Sequence, residues 1–278
     1  MSPVVIALAL GAAVLHASWN AALRTGADRL WSVTVMSFAA TAVAIPVAAI
    51  LPLPAAASWP YLVLSSCLQI AYSLFLVQAY RRGELGQVYP IVRGSVPLLV
   101  TLGAFLLTGR HPATLSLAGV ALVAGGILSL SLGNQRAHTE SIVMALVTGL
   151  MIAGYTTTDA LGVRHTGNAQ AYVAWIFLLY GVLMPITFVA LRGKPTLNLR
   201  APDTLKALAG GVASLVAYGA VVSAFALGPV GPIAALRETS IVFAALIGRV
   251  FLGETLTVRR ITACVIVTLG ALCLGYQA

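Results

Sequence analysis

The 278-residue sequence has very little charge: Asp, Glu, Lys and Arg make up 8% of it, and the acidic residues number 7. Soluble domains carry roughly 25% charged residues, so a water-facing surface cannot be built from this composition. Cysteine is scarce too. Cys67, Cys264 and Cys273 all lie inside apolar runs. The last two are too far apart to bridge along one helix at about 1.5 Å rise per residue, and no spacing among the three suits a metal. A disulfide scaffold and a structural metal are therefore excluded, and the cysteines read as packing residues. Catalytic triads, phosphate-binding glycine loops and metal motifs are absent, so neither an enzyme, an ATP-driven machine nor a bound cofactor is expected. No Lys or Arg precedes the first apolar run, and that run is long, so it reads as a retained helix rather than a cleaved signal.

What is present is hydrophobicity. Residues of the AVILMFWYC set make up 60% of the chain. About 20 helical residues cross a bilayer core, and ten such segments are predicted, near 4–23, 31–51, 60–80, 86–108, 113–132, 141–160, 170–191, 204–227, 231–252 and 258–276. The alternating polarity of a membrane barrel is missing. The fold class is thus an all-α membrane protein with the bilayer as its solvent. The formal charge of +9 comes from 16 Lys and Arg against 7 Asp and Glu. Most of the cations fall in short gaps between apolar runs, so they read as topology signals rather than a nucleic-acid surface.

The chain also repeats itself. Ala79-Tyr80, Gly83, Gly86 and Ser95 recur as Ala224-Phe225, Gly228, Gly231 and Ser240 at a constant offset of 145. After a one-residue slip Gly109 matches Gly253 and Gly126 matches Gly270. Trp19 matches Tyr155, and Pro46 and Pro185 fall at matching places in helices two and seven. The predicted units are residues 1–136 and 137–278, five helices each. An odd number of helices per unit makes the second enter the membrane upside down. Inverted repeats of this kind build alternating-access transporters with the substrate site near midplane.

The stretch from Gly83 to Leu130, with Pro90, Gly94-Ser95, Pro97 and Gly125-Gly126, resembles EamA-type proteins of the drug/metabolite transporter superfamily. The second half carries Gly228-Pro229, Ser240, Phe251-Leu252-Gly253-Glu254 and Gly270, and the pairs Ala71-Tyr72 and Ala217-Tyr218 are also similar to the family. The resemblance covers essentially the whole chain. It implies a ten-helix secondary transporter of metabolites, in a family that exports amino acids, sugars, nucleosides and drugs. The acid that follows Leu-Gly in the family is Glu254 in the second half, whereas Arg110 stands in the first. The stretch His16-Ala17-Ser18-Trp19-Asn20 resembles a bacterial subgroup.

The candidate substrate or coupling-ion residues are those that hydrocarbon disfavours. Arg93, Arg237 and Glu238 sit inside predicted helices, and Glu238 is the repeat equivalent of Arg93. An ionised group at a helix centre costs about 2.5–3.5 kcal/mol even on the lenient insertion scale. Either a substrate site or a structural ion pair between the halves would justify them. His16 and Asn20 share a helix face with Trp19 beside them, and a histidine can exchange protons near neutral pH. Asp159 lies near the predicted end of helix six, one turn after Tyr155. Tyr72, Tyr89 and Tyr218 lie on helices that the resemblance assigns to the cavity lining. Pro97, one turn after Arg93, is expected to interrupt helix four. Ala121, Gly125 and Ser129 on helix five, with Ala271 and Gly275 on helix ten, have the spacing of helix-packing or dimer faces.

These readings converge on an inner-membrane secondary transporter that exports a small polar metabolite, anionic or zwitterionic, such as an amino acid or organic acid. The expected partners are that small molecule and the lipid bilayer; protons and a second copy of the chain are further candidates. A non-transporting subunit of an envelope or lipid-linked pathway is the alternative. Loops after odd-numbered helices hold eleven cations, Arg24, Arg29, Arg81, Arg82, Arg136, Arg192, Lys194, Arg200, Lys206, Arg259 and Arg260; those after even-numbered helices hold Arg110 and Arg164. The positive-inside rule then places both termini outside.

Overall fold

The computed structural model describes residues 1–22, 28–82, 85–109, 111–132, 139–251 and 253–276. Arg24, Gly83, Arg110, Arg136 and His138, and the boundary expected between residues 136 and 137, lie outside the described residues. The helices are α1 (Pro3–Ala22), α2 (Arg29–Ile50), α3 (Trp59–Arg82), α4 (Leu85–Thr108), α5 (Thr114–Leu128), α6 (Thr139–His165), α7 (Ala169–Arg192), α8 (Pro202–Leu227), α9 (Val230–Glu238), α10 (Ser240–Phe251) and α11 (Val258–Gly275). Among the described residues they give 10 spans long and apolar enough to cross a membrane, because α9 and α10 form one broken span.

Polar side chains start several of these helices. Asp28 accepts from the Trp31 amide ahead of α2, Asn168 from the Gln170 and Ala171 amides ahead of α7, and Thr257 from the Arg260 amide ahead of α11. Each satisfies amides that the first helical turn leaves without partners. Between caps, apolar side chains such as Leu102, Leu106, Ile186 and Val250 face outward, while Ala9, Ala12, Ala40, Ala44 and Ala224 fill the interior. Small residues inside and large apolar residues outside suit a medium in which close packing, rather than water exclusion, holds helices together.

The contacts follow the repeat. α3 packs on α6 and α1 on α8; α2 on α8 and α3 on α7. Exchanging the halves turns each member of these two couples into the other. The pairs α2 with α7, α4 with α9, and α5 with α11 map onto themselves, so they lie along the pseudo-two-fold axis. The equivalent glycines agree in detail: Gly109 and Gly253, which end α4 and follow α10, have φ of 66° and 65°. This left-handed backbone favours glycine and ends a helix cleanly.

Three expectations change. Pro97 does not interrupt α4, which runs through both Pro90 and Pro97. The break falls instead in the equivalent span of the second repeat, at Thr239. There the Thr239 amide donates to the Leu236 carbonyl at 3.1 Å and its hydroxyl to the same carbonyl at 2.6 Å, tightening the turn. A threonine side chain that competes for backbone carbonyls bends helices, whereas the groups freed by a membrane proline are taken up by neighbours. Second, α6 continues to His165, so Asp159 is well inside it rather than near its end. Third, of the two roles expected of Ala121 and Gly125, packing within the chain is not theirs, because both point outward, as residues of a dimer face also would. The α5–α11 contact uses the adjoining face, where Gly126 meets Val267 and Gly270 meets Gly119 and Val123. Two faces of α5 carry small residues; the one with Val120, Val123 and Ile127 is buried, while Leu117 and Leu122 lie exposed beside the other.

A Cβ added at Gly270 would lie 2.8 Å from the Gly119 carbonyl oxygen, which is backbone and cannot swing aside; at Gly125 nothing lies within 4 Å. Gly270→Ala should therefore lower stability by about 1–3 kcal/mol. Gly125→Ala should be neutral or stabilising through helix propensity. Thermal unfolding of both variants in detergent checks the difference in sign.

Candidate functional site

The pair α4 and α9, on the axis, carries the charges. Arg93 Nε lies 2.7 Å from Glu238 Oε2, and Arg237 Nη2 lies 3.3 Å from Glu238 Oε1. Glu238 thus bridges one arginine from each repeat. Arg93 Nη2 also reaches the Ser240 hydroxyl at 3.5 Å. The arginines are 8% and 5% exposed and the glutamate 1%, so the cluster is sealed from solvent. Its hydrogen bonding is incomplete. Arg237 Nε has no acceptor among the described residues, and Glu238 Oε2, although close to Arg93, is not aligned for a hydrogen bond.

The break between α9 and α10 positions this cluster. It ends α9 at Glu238 and starts α10 at Ser240, so the acid and the serine that face Arg93 lie on either side of the turn. Around them, Tyr72, Tyr89 and Tyr155 lie within Coulombic reach of the Arg93 guanidinium, and His16 within reach of Arg93 and Arg237. The His16 and Trp19 rings meet edge to face at 5.0 Å. Trp19 Nε1 is buried without an acceptor among the described residues. Asn20 spends its amide on the His16 carbonyl of its own helix, at 2.8 Å.

Asp159 forms a second polar centre. It is wholly buried; its carboxylate accepts from Tyr172 at 3.1 Å and makes a short contact with the Tyr218 hydroxyl. Gly162 permits this, because a Cβ there would lie 2.3 Å from the Tyr172 hydroxyl and 2.6 Å from Tyr61 Cβ. Tyrosine rings connect the two centres: Tyr72 to Tyr155 at 5.9 Å, Tyr155 to Tyr218 at 6.3 Å, and Tyr218 to Phe177 at 6.0 Å. The candidates on α1, α3, α4, α6, α8 and α9 are therefore gathered into one interior region. Glu254 is not part of it. It binds Arg260 Nη1 at 2.8 Å beyond the end of α10.

Sequence reasoning missed Tyr172 and Ser65. Tyr172 stood near the start of a span, where an interfacial anchor is the ordinary reading, and nothing local tied it to Asp159. An unpaired intramembrane acid was the available signal, since it requires donors from other helices.

At the faces, Arg192 pairs with Asp28, and Trp31 Nε1 donates to the Thr196 carbonyl at 3.0 Å, joining the start of α2 to the segment after α7. At the other face Arg164 donates to the carbonyls of Phe225 and Gly228 at the end of α8. A cavity of about 330 Å³ lies between α1, α2, α7 and α8, lined by Leu8, Ala44, Gln170, Gly219 and Ser223 among others. A groove of about 340 Å³ lies between α10 and α11. Neither includes the Arg93 cluster.

Removing one member of a buried pair strands the other and typically costs about 3–5 kcal/mol. Glu238→Gln strands two arginines, whereas Arg93→Ala leaves Glu238 with Arg237. The glutamine variant should therefore show the greater loss of folded yield and melting temperature, measured by fluorescence-detected size exclusion. Equal losses would mean that Arg237 does not share the carboxylate.

Residues 139–276 match the EamA-like transporter family. No curated protein matches the sequence. The fold is shared with a protein of known crystal structure at a TM-score of 0.80 and 18% identity, over 100% of this chain and 98% of that one. Among the described residues no group of three or more His, Cys, Asp or Glu could hold a metal. The second repeat carries the family match, and the symmetric packing of α1 to α11 extends the same architecture through the first. The chain is an integral membrane protein of EamA type: its second half, residues 139–276, carries the EamA-like transporter family domain.

Proposed function

We propose that the protein is a secondary active transporter that exports a small anionic or zwitterionic metabolite, such as an amino acid or organic acid, across a bacterial inner membrane. The observation that carries this reading is the Arg93–Glu238–Arg237 cluster. It has one net positive charge, lies where the repeats meet, and holds an arginine donor, Arg237 Nε, without an acceptor among the described residues. A carboxylate is the group such a donor selects. Within this cluster a cation finds no free acid, because Glu238 has two arginines beside it. In this reading Tyr72, Tyr89, Tyr155 and His16 stand nearest the arginines, Trp19 and Asn20 adjoin His16, and Tyr218 leads to the second centre at Asp159; all of them are proposed substrate or coupling-ion residues. The proposed repeat units are residues 1–136 and 137–278. In proteoliposomes a panel of amino and organic acids should include a substrate moved well above background, with quaternary ammonium dyes left behind. Preferential dye transport would overturn the charge assignment, and background flux throughout would favour a non-transporting subunit.

Orientation belongs to the same reading. We place both termini on the outer side, because the cations after odd-numbered spans outnumber the rest. Arg192 and Asp28, which follow odd-numbered spans, do pair with each other, as two loops on one face can. A C-terminal reporter that is active only in the cytoplasm should stay silent; a strong signal would reverse the assignment.

A further inference from the structure

Among the buried acids, Asp159 differs from Glu238 in kind. Glu238 touches two arginines. Asp159 forms no ion pair with a Lys, Arg or His among the described residues, and its partners are neutral hydroxyls: Tyr172 of α7, Tyr218 of α8 and Ser65 of α3. Other groups face it from a greater distance. On α3, Tyr61 lies near Tyr172, with His165 stacked on its ring, and Gln69 donates to the Ser65 hydroxyl at 3.2 Å. On its own helix Tyr155 stands between it and Arg93 of α4, and Arg237 and Glu238 of α9. Arg164, one turn on, is committed to the end of α8.

This environment suits both protonation states. Hydroxyls donate to an ionised carboxylate, and the same hydroxyls can accept from a neutral carboxyl by rotating the O–H. Arginine offers no such second role, since it only donates. The charge balance gives the change a consequence. The two arginines and Glu238 leave one net positive charge, an ionised Asp159 cancels it across the Tyr155–Tyr218 wall, and a protonated Asp159 does not.

We propose that Asp159 is a proton-binding switch that controls the affinity of the Arg93–Arg237 cluster for an anionic group. The inference rests on the transport reading above. The proton comes from hydronium at the face to which the interior is open, leaving water behind, and binds a carboxylate oxygen; it departs to water at the opposite face. Because linkage is reciprocal, proton and anionic group favour each other and travel together. Export then runs down the metabolite's own gradient.

Two measurements on the full chain in proteoliposomes test it. Infrared difference spectra between alkaline and acidic buffer, with no substrate added, should contain a carboxyl C=O component that is absent in Asp159→Asn and kept in Glu238→Gln. Tyr218→Phe, which preserves the ring, should move that component to higher frequency through loss of a hydrogen bond. A component lost in Glu238→Gln and kept in Asp159→Asn, or unmoved in Tyr218→Phe, would overturn the proposal. In the flux assay, acid on the substrate side should raise wild-type uptake of the acid identified from the panel roughly 5-fold or more, within the usual range of coupling between sites. Asp159→Asn should lose that response; a retained response overturns the switch. If wild-type protein moves none of the panel, the transport reading falls, while the infrared component still decides separately whether Asp159 binds the proton.

Discussion

The structure depends on one constraint, the cost of holding ionised side chains in hydrocarbon. Each intramembrane charge is unfavourable by itself, and a buried pair seldom stabilises more than apolar residues of the same size would. Arg93, Arg237 and Glu238 are therefore poor choices for stability. They are sustainable because the carboxylate is shared between guanidinium groups from both repeats, and because α4 and α9 approach closely enough to make that sharing direct. Apart from Asp159, the described interior makes few such demands, being filled by alanine and valine and by serine and threonine that return their hydroxyls to their own helices, as Ser66 does to Leu62 and Thr148 to Met144.

The pseudo-two-fold axis explains why the repeats diverge at this point. Residues far from the axis can be duplicated unchanged, as Gly109 and Gly253 are, because each copy meets its own surroundings. Residues beside the axis meet their own equivalents. Two arginines, or two glutamates, at positions 93 and 238 would face each other with like charge; one of each sign removes the repulsion. The adjoining position diverges as well. Gly94 leaves room for Leu128 of α5 against the backbone of α4, whereas its equivalent is Thr239, whose hydroxyl tightens the turn that divides α9 from α10. The helix break and the charge inversion are two parts of one departure from symmetry.

Much of this was legible in the sequence, and the reason is physical. Hydrocarbon imposes length and polarity on every span, so the ten spans follow from composition, and a charge within an apolar run stands out against its neighbours. The repeat then assigns Arg93 and Glu238 to equivalent places, which is nearly a contact prediction for residues beside an axis. Lateral packing is a different matter. Ala121, Gly125, Gly119 and Gly126 all offer small faces on α5, and only the three-dimensional fit of Val123 and Val267 decides between them. The Asp159 centre was opaque for a related reason: its donors come from α3, α7 and α8, which are distant in sequence, and tyrosine reads equally as anchor or ligand. Pro97 misled because proline is a strong breaker in water, while Thr239 is an ordinary-looking residue whose effect comes from one hydroxyl.

The two faces and the centre differ in what it would take to open them. In the Arg192–Asp28 pair the arginine side chain is 30% and the aspartate 43% exposed; exposed pairs typically contribute about 0.2–1 kcal/mol. Trp31 adds one hydrogen bond, to the Thr196 carbonyl, and water can replace it. Separating Arg93 from Glu238 would instead leave ionised groups uncompensated where water is scarce. A rearrangement that parts the face while keeping the central carboxylate between its arginines therefore costs far less than one that parts the centre. By that ordering the contact between α4 and α9 is the costlier one to part, and the end of the α2–α7 pair that carries Trp31, Asp28 and Arg192 is the cheaper. On the transport reading proposed above, an anionic group entering the centre would change the ordering, because it would supply the arginines with a second acceptor and so lower the cost of loosening the first.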